Sequence, residues 1–405
     1  MTLLESWGDA ALTALGFFWK AGWAFVLGYG ISAMIQAFVP KQRLTRYMGD
    51  PGPRSVALAT GFGAASSSCS FAALAAARSL VLKGAHFVAA IAFMFASTNL
   101  VIELGILILI FLGWPFLVAE IIGGLLLIAI STTLVRWTGP RNWLAAAREK
   151  VERESDAEEE DFDWRERIAS ARGWRLVGKR FVSDWKMVWE EILIGFTVAG
   201  FMAVFVPGTV WAAIFLTGLE GQLPSWLIAL ENALVGPLVA ASTFIGSMGN
   251  IPLATVLNAN GVLFAGIMAF IYSDLMVPPL VSINAKYYGW RVALYIAGVM
   301  YASIVATALL LDGTFSLLGV VPESGRAVED VTRFAVDYTF WLNLAFALLA
   351  AALVALYRQG LREDAGSPPE DGDGAVGGVG AKRIAAWTAM ALLAGGLVAA
   401  ALTRS

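Results

Sequence analysis

Two carboxylates in this chain stand where a carboxylate is expensive. Glu103 and Asp274 both fall inside long apolar stretches, and an ionisable group at bilayer depth is a functional hypothesis by default. Glu103 follows Ser97, Thr98 and Asn99. The i, i+4 spacing of Asn99 and Glu103 predicts that they share one helix face. Asp274 follows Ser273 and precedes Pro278-Pro279, where a helix break is predicted. Proton coupling or cation binding is the chemistry open to such groups; the structural alternative is a protonated or hydrogen-bonded carboxyl between helices. A second candidate is the run Ser66-Ser67-Ser68-Cys69-Ser70, whose thiol would act as a soft ligand for a metal or metalloid. A buried small hydrophobe is the other reading of Cys69. The third is Gly246-Ser247-Met248-Gly249-Asn250-Ile251-Pro252, in which glycine permits left-handed backbone and proline stops a helix. There Ser247, Met248, Asn250 and Pro252 read as a backbone break with polar ligands, or as a turn that only shapes the fold.

The elements that must carry these residues are membrane helices. The chain has 405 residues, 58% of them hydrophobic and 15% charged, with a mean hydropathy of +0.71. Soluble domains run nearer 45–50% apolar and about a quarter charged. The expected class is an all-α polytopic membrane protein. A net charge of −3 leaves no basic excess for phosphates, so nucleic acid is not an expected partner. One cysteine and one histidine exclude a disulfide scaffold and a thiolate zinc site. Stretches of about 20 apolar residues, enough to cross the hydrocarbon, lie at 18–39, 87–111, 116–136, 188–206, 262–283, 292–311, 338–357 and 384–403. Residues 1–17 read as a short amphipathic lead-in, and the last helix as an appendage. Segments 55–80 and 226–259 are apolar but interrupted by the two polar runs above.

Basic residues set the predicted orientation. Lys41, Arg43, Arg46, Arg54, Arg78, Lys83, twelve more within 136–186, and Lys286, Arg291, Arg358, Arg362, Lys382 and Arg383 make 24 of the 28. All fall on one side if 55–80 and 226–259 are re-entrant hairpins that leave by the face they entered. The loop 137–186 is then cytoplasmic and both termini are external. A single crossing by 55–80 would scatter these charges over both faces. The loop 137–186 is expected to hold an amphipathic helix near 164–182, with Trp164, Trp174 and Phe181 at headgroup level, or to be a solvated linker. Residues 363–381 read as a flexible Gly- and Pro-rich linker.

The two halves repeat. Residues 66–114 align with 242–290, pairing Gly84 with Gly261, Ser97 with Ser273, and Gly113-Trp114 with Gly289-Trp290. Each copy is span, hairpin, span, span, and the charge count gives the copies opposite orientations in the membrane. The predicted domains are a first repeat over 1–136, the loop 137–186, a second repeat over 187–311 and C-terminal helices over 312–405. Inverted repeats with discontinuous helices are an architecture of secondary transporters.

SSSCSFAALAAARSLVLKGAHFVAAIAFMFASTNLVIELG in the first half, and GNIPLATVLNANGVLFAGIMAFIYSDLMVPPL with KYYGWRVALYI in the second, resemble a prokaryotic predicted-permease family. That family includes the organoarsenical efflux permeases. The resemblance covers roughly residues 15–311 and leaves out the final helix. It implies an inner-membrane efflux permease with both polar tips near the path. Arsenical exporters of the family are expected to hold As(III) through sulfur; here Met248 and the single thiol of Cys69 are what the tips offer. The expected function is a secondary transporter for a small solute or metal-type substrate, with a channel-like pore as the alternative. No cofactor is expected, lipid surrounds the chain, and a homo-oligomer is compatible with the sequence.

No enzyme constellation is visible: there is no phosphate-binding loop and no nucleophile with a base. Glu120, Glu190, Glu191, Glu231 and Asn232 are expected near segment ends, in snorkelling or helix-end roles. His86 reads as a solvated loop residue, and Trp19, Trp23, Trp114, Trp137, Trp211, Trp226 and Trp290 as interfacial belts.

Overall fold

The computed structural model describes residues 2–38, 48–66, 70–82, 84–139, 168–219, 221–322, 327–363 and 379–404. Among them every regular element is a helix. The first half supplies α1 (Leu3–Phe38), α2 (Pro53–Ser66), α3 (Ser70–Leu82), α4 (Phe87–Asn99), α5 (Ile102–Phe111) and α6 (Trp114–Thr138). The second supplies α7 (Ala171–Phe205), α8 (Gly208–Ile214), α9 (Ser225–Thr243), α10 (Ser247–Ala259), α11 (Phe264–Ile271), α12 (Pro278–Tyr288) and α13 (Trp290–Leu318). A 3-10 turn, Tyr272–Met276, joins α11 to α12. The C-terminal part adds α14 (Val328–Thr332), α15 (Tyr338–Glu363) and α16 (Val379–Arg404). Seven described helices are long and apolar enough to cross a membrane, or up to nine if the bent pairs α4–α5 and α11–α12 each make one span. The protein is a multi-pass membrane protein.

The chain divides into two compact units, and each draws on both halves. Unit 1 holds the unbroken helices α1, α7, α15 and α16. In it α1 and α7 run antiparallel. Phe38 meets Trp174 at 5.5 Å between ring centres, Gln36 donates to Asp184 at 3.0 Å, and Phe18 meets Phe196 at 4.8 Å. Gly200 makes this approach possible, since a Cβ there would lie 2.6 Å from the Ala14 nitrogen. Small residues at such crossings let apolar helices pack closely.

Three expectations are corrected in this unit. The lead-in 1–17 is continuous with the first span, because nothing between Leu3 and Phe38 breaks a helix of 36 residues. The last helix is packed rather than appended: Trp7 Nε1 donates to the Leu392 carbonyl at 2.9 Å, and Ala11 and Ala14 pack on Leu393. The amphipathic stretch and the span after it are one helix of 35 residues, α7; Trp164 lies outside the described residues, as do most of the acidic loop and of the Gly- and Pro-rich linker.

Asn343 of α15 enters the backbone of α1. Its Oδ1 accepts from the Trp23 N–H at 2.9 Å, and its Nδ2 donates to the Trp19 carbonyl at 2.8 Å. These are the two groups that an i→i−4 bond joins, so the amide bonds to both ends of one rung of the helix. Beside it Lys20 pairs with Asp337 at 2.9 Å and donates to Thr339 at 3.3 Å. Trp19 and Trp23 pack on Phe334, Phe340 and Phe346, which removes them from the expected belt. Trp211 leaves it as well, being 3% exposed, whereas Trp114, Trp137, Trp226 and Trp290 are more than half exposed.

Unit 2 holds the broken helices with α6 and α13, and its packing repeats. Helix α2 packs on α4 as α9 packs on α11; α3 packs on α4 as α10 packs on α11; α5 packs on α10 as α12 packs on α3. The long helices α6 and α13 pack on each other and run antiparallel. Thr138 and Tyr295 share a 2.9 Å hydrogen bond at one end, and a Cβ on Gly123 would lie 2.5 Å from Leu311 toward the other. The glycines paired by the sequence repeat share a conformation: φ is +91° at Gly84 and +81° at Gly261, +100° at Gly113 and +85° at Gly289. After α3, Gly84 and Ala85 donate to Val81 and Leu80; after α10, Gly261 and Val262 donate to Asn258 and Leu257. Both helices therefore end in the same left-handed cap, which glycine adopts without steric cost.

Asn343→Leu is expected to lower stability by about 1–3 kcal/mol, the loss of two hydrogen bonds between α15 and α1. A lower melting temperature of the purified protein in detergent, with unchanged helical content, checks this.

Candidate functional site

The 3-10 turn Tyr272–Met276 is the centre of unit 2. Pro278 and Pro279 at the start of α12 cannot donate backbone bonds, so the helix opens before them and the pair bends by 42°. The break expected beside Asp274 is there. Its carboxylate is 0% exposed, and Oδ2 accepts from the Ser70 hydroxyl at 2.8 Å. Ser70 is the first residue of α3, the far side of the first polar run. Two residues singled out in different halves of the sequence are thus brought into contact. Ser273, also buried, turns away and donates to the Ala269 carbonyl. Helix α10, which begins with the second polar run, packs against the same 3-10 turn, as do α9 and α13.

The second polar run is folded differently from its sequence reading. The chain breaks at Phe244, whose φ of +56° is left-handed, through Ile245 and Gly246. Ser247, Met248, Asn250 and Pro252 then form the opening turns of α10, all buried. Pro252 does not stop the helix. As the sixth residue of α10 it lacks only the N–H that would reach the Met248 carbonyl, and the helix runs on to Ala259. Asn250 closes the break, with Oδ1 accepting from Thr243 at 3.4 Å and Nδ2 donating to the Ile245 carbonyl at 3.4 Å. In the first run Ser66 ends α2 and donates to the Gly63 carbonyl at 3.0 Å; Ser67, Ser68 and Cys69 lie outside the described residues.

Asn99 and Glu103 do not share a helix face. Helix α4 ends at Asn99, Leu100 and Val101 leave the helix, and Glu103 stands in the first turn of α5 after a bend of 41°. The i, i+4 argument fails because it assumes unbroken backbone between them. Both are buried. Asn99 donates to the Phe95 carbonyl at 3.2 Å, and its Oδ1 has no hydrogen-bond partner among the described residues. Glu103 belongs to a helix that packs on α6 and α10.

Sequence reasoning missed Glu120 and Tyr272. Glu120 is 1% exposed in α6, and neither carboxylate oxygen has a hydrogen-bond partner among the described residues, which is not a snorkelling position. Tyr272, fully buried and two residues before Asp274, donates to the Ala119 carbonyl at 3.1 Å and the Glu120 carbonyl at 3.4 Å. A Cβ on Gly123 would lie 2.2 Å from the tyrosine oxygen, so Gly123 is the space into which that hydroxyl reaches. The one available signal was contiguity, Tyr272-Ser273-Asp274 before two prolines. The remaining acids are partnered: Glu191 with Lys382 at 2.6 Å, Glu190 with Arg383 at 3.9 Å, Glu231 with Asn232 at 3.0 Å. Asn232 is structural, tying the Phe215 carbonyl to the Leu263 N–H. His86 is the N-cap of α4, accepting from the Val88 N–H, rather than a free loop residue. Among the described residues no group of three His, Cys, Asp or Glu could hold a metal ion.

Crossing helices, twice interrupted around a buried carboxylate, define a polytopic membrane protein with a polar centre. The chain belongs to the family described as predicted permease, which it matches over residues 6–313. It is 38% identical over 331 residues to the Mycobacterium tuberculosis protein named "Putative permease Rv2963", a match covering 79% of this chain and 80% of that one. No solved structure matches it. The helix α16 falls beyond the family match, as the resemblance implied.

Gly123→Ala is expected to destabilise the protein by about 1–3 kcal/mol through overpacking against the Tyr272 hydroxyl. Adding Tyr272→Phe removes the clashing oxygen and restores part of the loss, so melting temperatures of the single and double variants in detergent decide the geometry.

Proposed function

We propose that this chain is a secondary transporter that moves a small solute past Asp274 and Ser70, between two re-entrant hairpins of inverted repeats. The observation that carries the reading is the Asp274–Ser70 contact, a buried carboxylate at a helix break held by the tip of the other repeat, in a member of a permease family. Backbone leaves the helix at membrane depth only where protein or a water-lined cavity satisfies it, so breaks of this kind mark a path. Glu103, Asn99 and the residues of both tips line that path in this proposal, and a carboxyl couples transport to protons.

The directions of corresponding helices support the inverted topology. Helices α1 and α7 open the two copies and run antiparallel; α6 and α13 close them and run antiparallel. Orientation alternates with each crossing, and the bent pairs count once each. The segments 53–82 and 225–259 must then each contribute an even number of crossings. Helices α2, α3 and α10, of 14, 13 and 13 residues, span roughly 20 Å apiece, short of about 30 Å of hydrocarbon. Only α9, with 19 residues, is long enough to cross by itself. Two hairpins satisfy the parity and the 24 basic residues together. The inner membrane, a cytoplasmic loop 137–186 and outward transport follow the charge rule and the family resemblance.

Single cysteines in a Cys69→Ser background test the topology. Positions 52 and 84 are expected to label from the cytoplasmic face and positions 221 and 261 from the outer face; labelling of 52 and 84 from opposite faces overturns the hairpin. Everted vesicles carrying the protein, given a trivalent methylarsenical as probe, test the function. Uptake is expected to require a proton gradient and to fall by about tenfold or more in Asp274→Asn, a loss of roughly 1.4 kcal/mol. Gradient-independent uptake that never runs uphill favours the channel-like alternative, and no uptake removes the arsenical class.

A further inference from the structure

The first turns of α7 and the last turns of α15 lie side by side in unit 1, running antiparallel. A Cβ on Gly178 would lie 2.7 Å from the Leu353 carbonyl and 2.8 Å from the Tyr357 nitrogen, and one on Gly360 would lie 3.7 Å from the Arg175 Cβ. Both helices pass the length and hydropathy required to cross a membrane. Between them runs an open cavity of about 250 Å³, lined by Phe181, Val182, Trp185, Lys186, Trp189 and Val354. Five of these six side chains offer mainly apolar surface. Lys186 is the sole charged one. Its Nζ turns to Tyr357, 3.5 Å from the hydroxyl and 5.5 Å from the ring centre. Among the described residues it has no carboxylate partner. The neighbouring acids are engaged elsewhere: Asp184 accepts from Gln36, Glu190 faces Arg383 and Glu191 faces Lys382. Glu363 stands at the end of α15, on the side of Arg362 and Arg358. The same end of α7 carries Arg172, Arg175, Lys179 and Arg180.

An apolar channel at the edge of two crossing helices, with an ammonium at its rim and a field of basic residues beyond, has the chemistry of a phospholipid tail with a negative headgroup. We propose that this groove binds an anionic phospholipid, one acyl chain lying along Phe181, Trp185, Trp189 and Val354 and the phosphate meeting Lys186 and the Tyr357 hydroxyl. The lipid ties α15, which lies outside the predicted-permease match, to α7, which lies within it. The site is independent of the transport path around Asp274. Its failure would leave that reading standing, and the reverse holds too.

Native mass spectrometry of the full-length protein in detergent, with phosphatidylglycerol or phosphatidylcholine of identical chains, tests it. The wild type is expected to retain phosphatidylglycerol about fivefold more than phosphatidylcholine, the effect of one basic residue near an anionic surface. Lys186→Gln abolishes that preference and Lys186→Arg keeps it. Val354→Trp, which fills the groove without touching charge, lowers retention of both lipids. Equal retention by the wild type overturns the proposal, as does a preference that survives Lys186→Gln in protein melting like the Lys186→Arg control.

Discussion

Backbone amides and carbonyls in hydrocarbon have to find partners within the protein, and the arrangement of this molecule follows from that constraint. Among the described residues the interruptions at Leu100-Val101, Phe244–Gly246 and Val277 all belong to one compact unit. The other unit is made of unbroken helices of 26 to 36 residues apart from the short α14. There the Asn343 amide bonds to the backbone of α1 at Trp19 and Trp23. The broken helices therefore all belong to one unit, together with the long helices α6 and α13, and the buried carboxylates Glu103, Glu120 and Asp274 belong to that unit too.

That chemistry is asymmetric although its frame is not. The glycine pairs, the caps after α3 and α10, and the exchangeable packing of the helices treat the halves alike. Asp274 has Thr98 as its counterpart in the repeat, and the Thr98 hydroxyl bonds within its own helix, donating to the Met94 and Phe95 carbonyls and accepting from the Asn99 amide. Glu120 corresponds to Ile296.

How much of this was legible in the residues varies with the range of the interaction. Span positions, the glycine turns, the break before Pro278-Pro279 and the costliness of Asp274 are local or periodic properties, and they read directly. Continuity of α1 and of α7 was misjudged because polarity dips were taken for ends, whereas nothing in those dips breaks a helix. Asn99 and Glu103 were joined on one face by spacing alone, and the bend between them has no proline or glycine to announce it. Glu120 reads as a residue near a segment end; its burial goes with packing against elements far along the chain, Tyr272 reaching its backbone carbonyl from 152 residues away.

By itself the sequence determined that the chain is a membrane protein and which segments carry the basic charge, since composition and hydropathy need no knowledge of neighbours. Only the tertiary structure decided that Ser70 meets Asp274, that Tyr272 fills the space at Gly123, and that α1 packs on α7 and α6 on α13. Those are contacts between residues far apart in the chain, where packing of side-chain volume and pairing of buried polar atoms select the partner.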